Sequence, residues 1–314
     1  VTILVDPPRW PAHGRLWSHL VSDTSLHELR VFARAHDIRD RAFDHDHYDV
    51  PDARYDDLVA AGAVPVDGGE LARRLGGSVL RVPGWERRRA SQAALHQRWA
   101  SLWRPATATR GALDAAGQDL VDRWREPHRT YHSRLHLAHA LDALDDLTGS
   151  GAPGSPWHAA VALWFHDAVH DGEAGRDEER SAALVDDLLG PLAGRARTAG
   201  GGPLADGDVA EVARLVRLTA GHDPAPHDAT GALVSDADLA VLGAGPRTYA
   251  RYVAQVRAEY GHVPDPDFRA GRAAVLTGLL DAPALFRTAP GRDRWADAAA
   301  HNLRAELAGL AATD

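Results

Sequence analysis

The apolar run over residues 159–165 (AVALWF preceded by Ala159) stops on two ionisable side chains, His166 and Asp167. A segment that is apolar all round reads as a helix buried in the middle of a fold. Burying a charge without a partner is costly, so the surroundings of that helix end must satisfy an imidazole and a carboxylate together. A divalent metal does this in one stroke. The plainer alternative is that Asp167 caps the next segment and His166 bonds a carbonyl.

Histidine crowds around the same stretch. Seven of the 18 histidines lie between His128 and His170, within 43 residues. Imidazole is the commonest metal ligand and the side chain most easily tuned as an acid or base near neutral pH. In YHSRLH (131–136), His132 and His136 are four apart and share one face of a helix. That helix carries the apolar stripe Leu135, Leu137, Ala138, Leu141, Leu144 and Leu147. One imidazole can then hold metal while the other stands a few ångströms off as a proton donor. The spacing equally suits two solvent-facing histidines at a helix start. Farther on, Asp236 and Asp238 precede Leu239, Val241 and Leu242, so one is expected to cap a helix and the other to turn inward.

At 314 residues the chain is long enough for two domains. Hydrophobic residues at 45% and charged residues at 25% are ordinary for a globular protein. No stretch approaches the roughly 20 apolar residues of a membrane helix. The opening VTILVDPPRW does not read as a signal peptide, so a cytoplasmic location is expected. There is no cysteine, which removes thiolate sites and disulfides. Any metal is held by imidazole and carboxylate, a donor set that suits Mn, Mg, Co, Ni, Fe or Zn. The net charge of −9 argues against broad nucleic-acid binding but leaves room for a small phosphorylated substrate. Self-association into a homo-oligomer is left open.

Residues 1–82 read as a small α/β domain. Residues 2–5 form a short β-branched strand stopped by Asp6-Pro7-Pro8. Helices are expected over 25–36, with Asp23 or Thr24 as cap, over 52–61 and over 69–75, with a strand over 63–66. Residues 83–94 read as a solvated linker, with a Pro-Gly break and a charged run over 86–89. From there, 95–314 reads as all-α, with helical patterns over 181–189, 209–219, 249–260 and 294–310. The first domain has its own cluster: Asp6, Trp10, His13, Trp17, His19 and Asp23, then His45, Asp46, His47 and Asp49. Such a density of His and Asp suits a metal or polar ligand. It suits equally a set of loop residues with the tryptophans as core.

YHS-x-x-H, His-Asp and DADL together resemble the HD-domain superfamily of metal-dependent phosphohydrolases. DEERSA (177–182), the turn over 219–222, DADLAVLG (236–243), YARYVAQVRAEY (249–260), GR (271–272) and NLRAEL (302–307) extend the likeness to a bacterial subgroup of predicted HD-superfamily phosphohydrolases, over roughly 95–312. The resemblance implies an all-α HD-type fold and hydrolysis of a phosphomonoester or phosphodiester, on a nucleotide-like small molecule, by metal-activated water. YHS-x-x-H is also similar to YHN-x-x-H of cyclic-nucleotide phosphodiesterases. That likeness implies His136, His166, Asp167 and Asp238 as ligands, with Asp236 the competing last ligand, and His132 as general acid. Glu179 is a further catalytic candidate; His222 and His170 are candidates for a second metal or for hydrogen bonds behind the ligands. Arg257 and Arg272 are candidate phosphate contacts. The alternative function is a regulatory module that holds nucleotide and metal with weak or no catalysis. VDPPRWPAHGRLWSHLVSD and HDHYDVP resemble a small bacterial family of unknown function.

Overall fold

The computed structural model describes residues 2–104, 107–173 and 175–312. The chain divides into two compact units, Val1–Arg87 with Pro246–Arg269, and Arg88–Gly245 with Ala270–Asp314. Among the described residues no helix is long and apolar enough to cross a membrane.

The first unit is α/β. Its elements run β1 (Ile3–Val5), β2 (Trp10–Ala12), β3 (Arg15–Ser22), α1 (Leu26–Ala35), β4 (Phe43–Asp44), β5 (His47–Pro51), α2 (Tyr55–Ala60), β6 (Val64–Pro65), α3 (Gly68–Gly77) and α4 (Gly84–Arg89). The sheet order is β4-β5-β3-β1-β6, with β2 also paired to β3. Among the described residues only the β1–β6 pair is parallel. Ala12 pairs with Arg15, leaving His13 and Gly14 as a two-residue turn with φ of 50° and 75°. Positive φ at both positions is what a tight hairpin needs to follow the strand twist, and glycine meets it without strain. Ser25, rather than Asp23 or Thr24, caps α1, accepting from the Glu28 N–H. Tyr48 and Val50 of β5 point into the core with Leu4, Leu20, Leu29 and Leu58. His47 and Asp49 alternate to the opposite face, as strand periodicity requires.

The second unit is helical. It contains α5 (Gln92–Ser101), α6 (Thr107–Arg123), α7 (Arg134–Gly149), α8 (Pro156–Phe165), α9 (Arg176–Leu189), α10 (Asp206–Leu218) and α11 (Ala229–Leu239). The chain then enters the first unit as α12 (Pro246–Glu259), and α13 (Asp265–Asp281) begins there and carries it back. α14 (Ala289–Ala311) ends the second unit. α8 is its centre: Val161 through Phe165 are wholly buried, and α7, α9, α10 and α11 pack around them. Ser155 caps α8 and Pro156 opens it, the position where a missing N–H costs nothing. Trp99 lies edge-on to Trp164, and a Cβ on Gly117 would collide with the Trp99 indole.

Three features differ from the sequence reading. Residues 83–94 are not a solvated linker: α4 and the start of α5 occupy them, and Glu86 is buried. The helical part is not one continuous stretch from 95 to 314, because α12 belongs with the first unit. Its Ala254 and Ala258 join that unit's apolar core, and Arg251 pairs with Glu86 at 2.5 Å. Its Arg247 also donates to the Gly76 carbonyl at 2.8 Å. Finally, neither Asp236 nor Asp238 caps the start of a helix; a 3-10 turn over Ala240–Gly243 follows them, with Leu239 at its start. Asp228 caps α11, which runs on through both aspartates to Leu239.

Candidate metal centre

Three helices of the second unit bring their side chains to one point. His136 comes from the first turn of α7, His166 from the C-cap of α8, and Asp238 from the last turn of α11. Each offers one donor atom, and these atoms lie within 4.8 Å of one another. The His136 and His166 Nε2 atoms are 3.1 Å apart. Asp238 Oδ1 is 3.0 Å from His136 Nε2 and 3.4 Å from His166 Nε2. Asp167 Oδ2 lies 3.1 Å from His166 Nε2 and 3.7 Å from His136 Nε2. His222 approaches from the other side, its Nε2 3.4 Å from Asp238 Oδ2. It stands in the turn after α10 with a φ of 49°, a left-handed conformation that is uncommon outside glycine and tends to collect at functional sites.

The local chemistry orients the donors. His166 Nδ1 lies 2.8 Å from the Leu163 carbonyl, which can only accept, so Nδ1 carries a proton. In the neutral ring the Nε2 lone pair then points at the other donors. That is the tautomer a metal-binding histidine adopts when a carbonyl holds its far nitrogen. The Trp124 ring lies 6.0 Å from His136 and 5.3 Å from His166, closing that side with an apolar surface.

Electrostatics follow from burial. Burial alone would push the Asp238 and Asp167 carboxyls up, but the neighbouring imidazoles, His166 foremost, outweigh it and hold both below the usual carboxylate range. For His166, burial opposes the charge, yet Asp167 and Asp238 raise the imidazole well above its ordinary range. Burial keeps His136 and His222 below theirs. A positive charge is therefore favoured where His166 Nε2 meets two carboxylates. A metal ion would replace that proton, and the donor set of imidazole and carboxylate fits a divalent ion.

Asp236 is elsewhere. Its carboxylate accepts from the Arg287 N–H at 2.7 Å, the Thr288 N–H at 2.8 Å and the Thr288 hydroxyl at 2.7 Å. It ties the start of α14 and faces away from the imidazoles, since a helix turns by about 100° per residue and two positions put side chains on nearly opposite faces. Burial raises its carboxyl.

His132 lies beside the donors without joining the triangle of His136, His166 and Asp238. Its ring is edge-on to His136 at 5.8 Å and stacks on His170 at 3.9 Å. It is close enough to help lower Asp167. Glu179 is on the solvent side of α9, bound through both oxygens to Arg217 at 2.7 and 2.8 Å. Arg272 is taken up by Glu306 at 2.7 and 3.1 Å. Arg257 belongs to the first unit and pairs with Asp265. The structure thus gives Glu179, Arg257 and Arg272 ion-pair partners of their own.

One residue escaped the sequence reading. The buried Arg129 guanidinium donates to the His132 carbonyl at 3.3 Å, the Asp167 carbonyl at 2.6 Å and the Ala168 carbonyl at 3.1 Å. It clamps the turn that carries His132 to the turn that carries Asp167. Its only sequence signal was a place in the turn before α7, which does not separate it from the other arginines.

Residues 3–78 match a family described as a protein of unknown function (DUF4031). No curated protein and no solved structure matches the chain.

Proposed function

We propose that the second unit is a metal-dependent hydrolase of a phosphate ester, a phosphomonoesterase or phosphodiesterase acting on a small nucleotide-like molecule. The observation that carries the reading is the enclosed set of His136, His166 and Asp238, with Asp167 beside it and His132 set just outside. It agrees with the resemblance of the same residues to the HD-domain phosphohydrolases.

The residues divide by role. His136, His166, Asp167 and Asp238 would hold the ion, and a divalent ion there supplies Lewis acidity and lowers the pKa of water. The Leu163 carbonyl keeps His166 in the tautomer that presents Nε2. Trp124 shields the two imidazoles and keeps the local dielectric low, where charges act most strongly. His132 holds a proton for the leaving oxygen, and Arg129 fixes the backbone that positions it. A general acid of this kind typically contributes about 10²–10⁴-fold. A module that only holds nucleotide and metal has no need of such an imidazole, which is why the hydrolase is preferred over that alternative.

The test is hydrolysis of a nucleotide and phosphoester panel with Mn, Mg, Co or Ni added back to chelated protein. His132→Ala is expected to cut turnover by about 10²–10⁴-fold while metal content stays the same. Metal binding without turnover of any ester would favour the regulatory alternative. Activity that ignores chelation and survives His136→Ala ends the hydrolase reading.

A further inference from the structure

We infer that the first unit has its own metal site, in which His19, His47 and Asp49 bind a divalent transition-metal ion whose open positions take a small anionic ligand. The site is independent of the donors in the second unit.

The sheet brings these residues together. His19 of β3 pairs directly with Asp49 of β5, so the two side chains leave the same face, and His47, two residues before Asp49, joins them. The His19 and His47 rings stand edge to face at 5.2 Å. Both imidazoles are oriented from behind by a carboxylate. His19 Nδ1 lies 3.1 Å from Asp6 Oδ2, and His47 Nδ1 lies 2.7 Å from Asp46 Oδ1. Asp6 is itself fixed by the His19 N–H at 2.5 Å and the Trp10 indole at 3.2 Å. Asp46 is fully buried at the tip of the β4–β5 hairpin and accepts from the Val82 N–H at 2.7 Å. A carboxylate on the far nitrogen of each histidine is the arrangement that orients metal-ligating imidazoles and raises their basicity.

Both Nε2 atoms then face Asp49. Its Oδ1 is 3.9 Å from His19 Nε2 and 3.6 Å from His47 Nε2. These gaps are too long for hydrogen bonds. They are a few tenths of an ångström wider than the roughly 3–3.5 Å that separates donors around an ion bound at about 2.0–2.2 Å. Three protein donors of this type, two imidazoles and a carboxylate, leave coordination positions open.

What fills those positions follows from the cleft. A pocket of about 210 Å³ opens over the face, lined by Asp6, Trp10, His19 and His47, with α3 along one wall. Arg81 and Arg87 line it too, each touching Asp46 through one nitrogen, at 3.3 and 3.9 Å. A guanidinium has five N–H donors, so each retains others for a ligand. Three carboxylates, Asp6, Asp46 and Asp49, meet two guanidiniums here. With both imidazoles neutral, as metal ligation requires, these groups sum to one negative charge without the ion and one positive charge with a divalent ion. That balance makes anion binding depend on the metal. Inorganic phosphate is the simplest such anion.

The experiment is a Co(II) titration of the full chain carrying His136→Ala and Asp238→Asn, which silences the other donor set. One visible d–d band saturating at one ion per chain is expected, and inorganic phosphate should shift it. Adding Asp49→Asn, at a half-exposed and isosteric position, should weaken Co(II) at least about 10-fold. Adding His47→Gln should remove the band. In the wild-type chain, Asp49→Asn should lower bound metal by one ion per chain, a check that does not depend on the background substitutions. No band, or an Asp49→Asn variant that binds as tightly as its parent, overturns the metal site. A band indifferent to phosphate overturns the anionic ligand.

Discussion

The two units present two imidazoles and one carboxylate each, in opposite settings. In the helical unit His136, His166 and Asp238 come from three helix ends and are enclosed. In the α/β unit His19, His47 and Asp49 stand on two adjacent strands, with Asp49 half exposed. The enclosed set is governed by charge balance: each buried group depends on its neighbours, and two facing carboxylates raise His166 against the opposing effect of burial. The open set is governed by orientation, because Asp6 and Asp46 hold the rings from behind. Similar side chains thus acquire their properties by different routes, and substitutions should separate them.

The largest expected effect is on the first unit's framework. Arg251→Ala removes the buried guanidinium that pairs with the Glu86 carboxylate, and breaking such a pair typically costs about 3–5 kcal/mol. Chemical unfolding should show the loss. A change within error would mean that α12 is not needed for that unit. Next, Asp238→Asn should weaken metal binding by the second unit by more than about 10²-fold, since even residues behind metal ligands cost 10–100-fold. Metal content after dialysis measures it, and full retention would remove Asp238 from the ligand set.

Asp236→Ala makes the contrast within a single helix. It strands the Arg287 and Thr288 N–H groups, at about 1–3 kcal/mol for each buried donor left unsatisfied. Stability should fall while metal stoichiometry stays the same; the reverse pattern would exchange the roles of the two aspartates.

The smallest effect is with pH. His166 is raised in the folded, metal-free chain, so its contribution is fully present below about pH 6.5 and is lost as pH rises through its folded value. Asp167 and Asp238 are lowered, so theirs is present above the ordinary carboxylate range and lost as pH falls through the lowered values. Metal must displace the His166 proton, so affinity should rise with pH by up to about 10-fold per unit below that folded value. The melting-temperature gap between metal-loaded and chelated protein should widen over the same range. A gap that ignores pH would mean that His166 binds no proton where the metal goes.

Local order was largely legible from sequence. The apolar run of α8, the stripe of α7 and the short strand β1 follow from periodicity, because 3.6-residue and two-residue repeats are written into the chain. The sequence reading has no strand at β3 or β5, although His47-Tyr48-Asp49-Val50 alternates polar and apolar residues; the chemistry-bearing side chains there drew a reading as loop residues instead. The tryptophans near them were candidates for core, yet Trp10 is 53% exposed and the core is built from Leu, Val and Tyr48. The histidine crowding pointed to a site, but Arg129 carried no local signal, because its role is to join carbonyls from two distant turns.

By itself, the sequence determined that the segments of α7 and α8 are helical and that of β1 extended, that α8 is buried, and that His166-Asp167 ends it in need of partners. Those are consequences of local propensity and of the cost of burying polar groups. Only the tertiary structure decided which aspartate meets the imidazoles, that 246–269 belongs with the first unit, and that His19 stands opposite Asp49. Each of these depends on contacts between residues far apart in the chain. Asp236 and Asp238 have almost the same neighbours in sequence; it is the start of α14 on one side of α11, and α7 and α8 on the other, that ties one to Arg287 and Thr288 and sets the other beside His136 and His166.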